Sequence, residues 1–127
     1  MARPPAKELT ERELEVMQSF WNDGEGTAAE VRDRLAKSGL DRAYTTIANL
    51  VRLLHDKGLL EQTNHERPFQ YRAVRSFEEV SGNLVSDLLE RVFHGSREQL
   101  FVRLLEQKKL TAKERAVLER ILKEHDE

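Results

Sequence analysis

Four times in this chain a hydroxyl residue is followed three positions later by a glutamate, each time heading a periodic apolar run. The pairs are Thr10 with Glu13, Thr27 with Glu30, Ser76 with Glu79, and Thr111 with Glu114. In such a capping box the hydroxyl accepts from a free backbone N–H of the first turn. The carboxylate reaches back to the N–H of the cap. One such pattern means little in a chain this rich in charge. Four, each opening an apolar stripe, announce helix starts and commit most of the chain to helix.

The first box opens a helix over about Thr10 to Asn22, with Leu14, Met17 and Trp21 three and four apart. Val16 and Phe20 widen its buried stripe, and Asp23-Gly24-Glu25-Gly26 ends it. The second opens Ala28 to about Lys37, which buries Val31 and Leu35. After the turn Ser38-Gly39-Leu40-Asp41, a third helix runs to Lys57 and stops at Gly58. The period then changes. Leu59 to Thr63 and Phe69 to Val74 read as strands, the second alternating Phe69, Tyr71 and Ala73 against Gln70, Arg72 and Val74. Asn64 to Pro68 makes the hairpin loop, and Tyr71 is expected on its inner face.

From Ser76 the pattern is helical again. Phe77, Val80, Leu84, Leu88 and Val92 form one stripe beside Val85, Leu89 and Phe93, and Gly95 breaks it. A shorter helix with Leu100, Phe101, Leu104 and Leu105 follows, then a last one with Val117, Leu118, Ile121 and Leu122. The expected fold is mainly α. A winged helix-turn-helix domain with a two-stranded wing occupies residues 1–75, and a helical dimerisation region occupies 76–127.

Several function classes drop out. Without cysteine there is no disulfide, no thiolate metal site and no thiol nucleophile, which fits a reducing cytoplasm. Met1 to Lys7 carries no apolar leader, and no run approaches the roughly 20 apolar residues of a membrane span. His55, His65, His94 and His125 stand far apart and lack partners at metal-ligand spacing, which makes them surface or structural residues. No glycine-rich phosphate loop or nucleophile elbow occurs. The expectation is a protein that is no enzyme and holds no metal or cofactor.

The net charge of −2 is unusual for a nucleic-acid binder, but its distribution is uneven. From Arg42 to Arg75 six bases face three acids, whereas the tail from Ser76 has nine bases and eleven acids. The third helix sits inside the basic stretch. Ile47, Leu50, Val51 and Leu54 define its buried side, so Arg42, Thr45, Asn49 and Arg52 are expected on the other. That row has donors and acceptors and no large apolar residue. Asn can bond adenine twice, Thr can touch a base edge or a thymine methyl, and Arg can grip guanine or phosphate. Tyr44 at the start of the helix and Arg67 at the hairpin tip are further candidate DNA contacts. A helical protein-interaction module, with the winged helix as docking scaffold, is the alternative. It would need apolar anchors on this face.

The tail has too few residues to bury its own leucines and phenylalanines. Leu84, Leu88, Leu89, Val92, Phe93, Leu100, Phe101, Leu104, Leu105, Leu118, Ile121 and Leu122 are therefore the expected homodimer interface. Two copies would read the two halves of a palindromic operator in duplex DNA.

Four separated stretches carry a resemblance: Leu14 to Trp21 (LEVMQSFW), Ala43 to Leu54 (AYTTIANLVRLL) with Lys57-Gly58-Leu59, Arg67 to Tyr71 (RPFQY), and Val92 to Ser96 (VFHGS). Together they resemble the BlaI/MecI penicillinase-repressor family, over about Leu9 to Leu122. The resemblance implies a homodimeric repressor of β-lactamase and related stress genes, with Thr45, Thr46 and Asn49 on the reading helix. It also implies a membrane sensor protease as inactivating partner. Three departures stand out. Arg42 replaces a Trp, Thr45-Thr46 replaces a Lys-Thr pair, and Arg103-Leu104 stands where some members are cut at Asn-Phe. The cysteine motif of a copper-responsive branch is absent.

Overall fold

The structure, a computed structural model, describes residues 9–125. The stretch Met1 to Lys7, expected to carry no leader, and the side chain of His125 lie outside the described residues. The element order is α1 (Glu11–Asp23), β1 (Gly26–Thr27), α2 (Ala28–Lys37), α3 (Tyr44–Asp56), β2 (Leu60–Gln62), β3 (Gln70–Ala73), α4 (Phe77–Phe93), α5 (Arg97–Gln107) and α6 (Ala112–His125).

Three of the capping boxes close in both directions. Thr10 Oγ1 accepts from Glu13 N–H at 3.1 Å while Glu13 Oε1 accepts from Thr10 N–H at 2.8 Å. Thr27 with Glu30 and Thr111 with Glu114 repeat the exchange. At α4 only half of it forms. Ser76 Oγ accepts from Glu79 N–H, but the Glu79 carboxylate takes Arg75 instead. Ser96 caps α5 by accepting from Gln99 N–H at 3.2 Å, a start the sequence reading leaves unmarked.

The chain divides into two compact units, the first ending at Ser86 and the second beginning at Asp87. The division falls inside α4, whereas the sequence places the domain boundary after Arg75. Its physical cause is the first turns of α4. Val80 is buried in the core of the first unit and Leu84 packs against that core. Trp21 ties the same turns to α1, donating from Nε1 to the Arg75 carbonyl at 2.9 Å. Its ring meets Phe77 edge-on at 5.4 Å.

In the first unit, Val16, Met17 and Phe20 of α1 face Val31 and Leu35 of α2 and Ile47, Val51 and Leu54 of α3. Leu59 and Leu60, leading into β2, complete this core. The wing hairpin pairs Leu60 with Ala73 and Gln62 with Tyr71. The expected two-stranded wing gains a third strand, since β1 pairs antiparallel with β3 through Gly26↔Tyr71 and Thr27↔Gln70. Gly24, at φ +85° and ψ −162°, makes the bend into β1 in a region closed to other residues. Arg34 holds that bend by donating to the carbonyls of Gly24 and Glu25. A Cβ at Gly26 would lie 2.8 Å from its guanidinium. Tyr71 is half-buried against the core, as its place in the alternation predicts.

The second unit is differently made. α5 contains no buried residue, and every described side chain of α6 is exposed.

Glu13 is only 2% exposed and bonds Lys57 Nζ at 2.8 and 3.1 Å. Burial works to raise its pKa, but Lys57 and the Thr10 N–H together hold it below the ordinary Glu value of about 4.5. A depressed carboxyl adds stability that is complete above the unfolded pKa and is lost as pH falls through the folded one. Glu13→Gln should therefore cost about 1.5–3 kcal/mol at pH 7, the range for hydrogen bonds to charged groups. Urea unfolding should show the gap between parent and variant closing below about pH 4.5. A gap that stays constant from pH 7 to pH 3 would contradict this account.

Candidate nucleic-acid interface

α3 is an amphipathic helix with one side sealed. Ile47, Val51 and Leu54 are fully or almost fully buried, and Leu50 packs behind them. The turn-by-turn rotation of about 100° then carries Thr45, Thr46, Asn49 and Arg52 outward, and all four are exposed. Tyr44, the first residue of the helix, is exposed as well. Leu53 also stands on this side and is 44% exposed, so the row is less free of apolar residues than its sequence suggests.

Arg42 is a correction. It was expected on the exposed row, but α3 begins at Tyr44 on an extended Ala43, and Arg42 precedes the helix. Its guanidinium grips Glu15 of α1 in a two-point pair, Nε to Oε1 at 3.2 Å and Nη2 to Oε2 at 3.1 Å. Arg42 holds the Glu15 carboxyl below its ordinary pKa. The residue ties the segment just ahead of α3 to α1.

The other bases of the stretch sort in the same way. Lys57 is held by Glu13, Arg72 by Glu61, and Arg75 by Glu79. Among the described residues, Arg52 and Arg67 have no carboxylate partner. Arg67 lies over the Phe69 ring at 5.3 Å from its centre. Both cations line one groove of about 550 Å³, with Asn49 and Tyr44 on the α3 side and Phe69 and Tyr71 on the wing side. Thr27 and Ala28, at the start of α2, also line it. The net positive charge read from the sequence thus condenses onto two arginines that share a groove with Asn49 of the exposed row.

Two structural features near the wing escape the sequence reading. β1 has only two residues, too few for any alternation to show. Asn64 organises the hairpin loop through several hydrogen bonds, and an Asn at the entry to a turn is the signal that would have marked it. Of the expected interface residues, Leu88, Val92, Phe101, Leu104, Leu105, Leu118, Ile121 and Leu122 are exposed, while Leu89, Phe93 and Leu100 are half-covered. Leu84 belongs to the packing of the first unit.

Three helices followed by a sheet-backed hairpin, with an exposed polar row on the third helix, define a winged helix-turn-helix transcriptional regulator. A sequence profile described as "Penicillinase repressor" matches residues 9–124, and the chain belongs to that family. Among solved structures, one described as the complex of hsRosR-S4 has a TM-score of 0.53 at 16% identity, covering 94% of this chain and 91% of that one. A MarR family protein from Bacillus stearothermophilus has a TM-score of 0.49 at 18% identity, covering 94% and 78% of the two chains. A MarR family regulator from Neisseria meningitidis has 0.47 at 14%, covering 93% and 82%. The first of these likenesses extends to the fold. No match is found among curated proteins. Among the described residues, no helix is long and apolar enough to cross a membrane, and no cluster of side chains could hold a metal ion.

The division between holding and exposed residues is measurable. Asn49→Ala and Thr45→Ala should shift stability by less than about 0.5 kcal/mol, as at ordinary surface positions. Arg42→Ala, which removes a half-covered pair, should cost about 1 kcal/mol. Urea denaturation of the three variants checks this, and an Arg42→Ala protein as stable as the parent would return that residue to the surface set.

Proposed function

We propose that the protein is a homodimeric transcriptional repressor that binds a palindromic operator with α3 in the major groove. The observation that carries this reading is the shared groove. Asn49 and Arg52 of the exposed row line it on one side and the wing's Arg67 on the other, in a chain of the penicillinase repressor family. Thr45, Thr46 and Asn49 read bases, with Tyr44 at the rim. Arg52, one turn further along, takes phosphate, and Arg67 takes phosphate or the neighbouring minor groove.

Dimerisation is proposed through the second unit. Val92, Phe101, Leu104 and Leu122 are each more than half exposed in the single chain, and apolar exposure on this scale marks a surface that a partner covers. A second copy doubles the number of reading helices and raises operator affinity through effective concentration. The regulated genes are proposed to be of the β-lactamase or related stress type, the class that the family name indicates. The inactivating partner carried over from the family is a membrane sensor protease. Its cut would fall at Arg103-Leu104, inside α5, on a dipeptide unlike the family's Asn-Phe.

Selection of bound sequences from random duplex DNA should yield a motif with dyad symmetry. Against that motif, Asn49→Ala should lose about 1–3 kcal/mol and relax preference at one position per half-site. Arg52→Ala should weaken all sequences alike and flatten the salt dependence. If Asn49→Ala and Thr45→Ala bind every sequence like the parent, α3 is not the reader. Leu88→Asp should sediment as a monomer at micromolar concentration, and a folded, fully dimeric variant would place the interface elsewhere.

A further inference from the structure

A single side chain holds the tip of the wing together. Asn64 Nδ2 donates to the Glu66 carbonyl at 3.0 Å and to the Pro68 carbonyl at 3.1 Å, while its Oδ1 accepts from Gln70 N–H at 2.8 Å. Gln62 Nε2 donates in turn to the Asn64 carbonyl at 2.7 Å. The two gripped carbonyls belong to the residues on either side of Arg67. The core has no need of this arrangement, because none of residues 64–68 is buried in it.

What the loop does display is Arg67, with its guanidinium over Phe69 and its place at the groove that Asn49 and Arg52 also line. An arginine on a slack loop must give up backbone and rotamer freedom when it meets DNA, and that loss subtracts from affinity. Fixing the main chain on both sides beforehand removes much of the loss. We infer that Asn64 is a positioning residue for DNA binding, holding the main chain around Arg67 so that the cation is presented in one place. This rests on the reading of α3 and the wing as the DNA-binding face.

The test is a double-variant cycle on the full chain. Operator binding is measured for the parent, Asn64→Ala, Arg67→Ala and the combined variant, with thermal unfolding recorded beside it. Asn64→Ala should weaken binding roughly three- to tenfold per half-site, the scale of immobilising one rotamer-rich side chain. Arg67→Ala should lose at least as much, and adding Asn64→Ala to it should lose nothing further. Asn64→Asp keeps the acceptor for Gln70 but lacks both donors, and it should bind like Asn64→Ala. The melting temperature should move by about 2 °C or less, as for a small surface change.

Parent-like binding by Asn64→Ala overturns the inference. So does a loss of equal size with and without Arg67, which would make Asn64 a general support or a contact in its own right. If Arg67→Ala binds like the parent while Asn49→Ala loses its base preference, the wing assignment falls and the α3 reading stands. If the full chain selects no duplex sequence at all, both fall together.

Discussion

Glu13 is a carboxylate with almost no access to water, and the placement of α3 depends on it. A charge so buried persists only when fully partnered. Its partners come from two directions: the Thr10 N–H at the positive end of α1, and Lys57, the residue that ends α3. Two residues on, and so on the opposite side of α1, Glu15 takes Arg42 just ahead of α3. α1 thereby holds α3 at both ends. The apolar contacts of Ile47, Val51 and Leu54 with α1 and α2 supply the attraction, but packing of this kind tolerates small slides and rotations. Charged hydrogen bonds are directional, and a two-point Arg–carboxylate pair is more so. They fix which side of α3 faces outward, and with it the position of Asn49 and Thr45.

That joint also explains what could be read in advance. Helix starts were legible wherever a capping box stood, and at Thr10, Thr27 and Thr111 the reciprocal bonds form as the spacing implies. α3 has no box. Its cap is Ala43, which can offer no side-chain acceptor, so nothing in the sequence marks the start and Arg42 is drawn into the helix. Once there, helical spacing puts it on the exposed row. Its true partner, Glu15, lies 27 positions earlier, and pairing at that range leaves no local pattern. β1 was hidden for the same kind of reason. Its two residues become a strand only because β3 lies alongside.

Charge shows how far a sequence count can be carried. Six bases against three acids between Arg42 and Arg75 suggested a footprint, yet both Arg42 and Lys57 are neutralised by glutamates of α1, outside the counted stretch. Arg72 is matched by its cross-strand neighbour Glu61, and Arg75 by Glu79 one helical turn on. What survives is smaller and better placed. Arg52 and Arg67 line one groove between α3 and the wing, and on the proposed reading charge concentrated there steers association more effectively than the same charge spread over a surface. A net charge of −2 therefore does not oppose DNA binding in this chain.

The two units differ in what they need from outside. The first has a closed core, capped helices and a sheet, so its stability lies in its own contacts. The second has helices of 11 and 14 residues whose apolar side chains remain exposed. Helices this short are marginal in water by themselves, and most helical stability in proteins comes from burying an apolar face. Capping by Ser96 and Thr111 offsets part of the deficit, on the order of 1 kcal/mol each. The remainder has to come from covering Phe101, Leu104, Leu105, Leu118 and Ile121. On the proposed reading a second copy does so, and folding of this unit and pairing of the readers become one equilibrium. Operator affinity would then depend on protein concentration through the same leucines that hold the helices in shape.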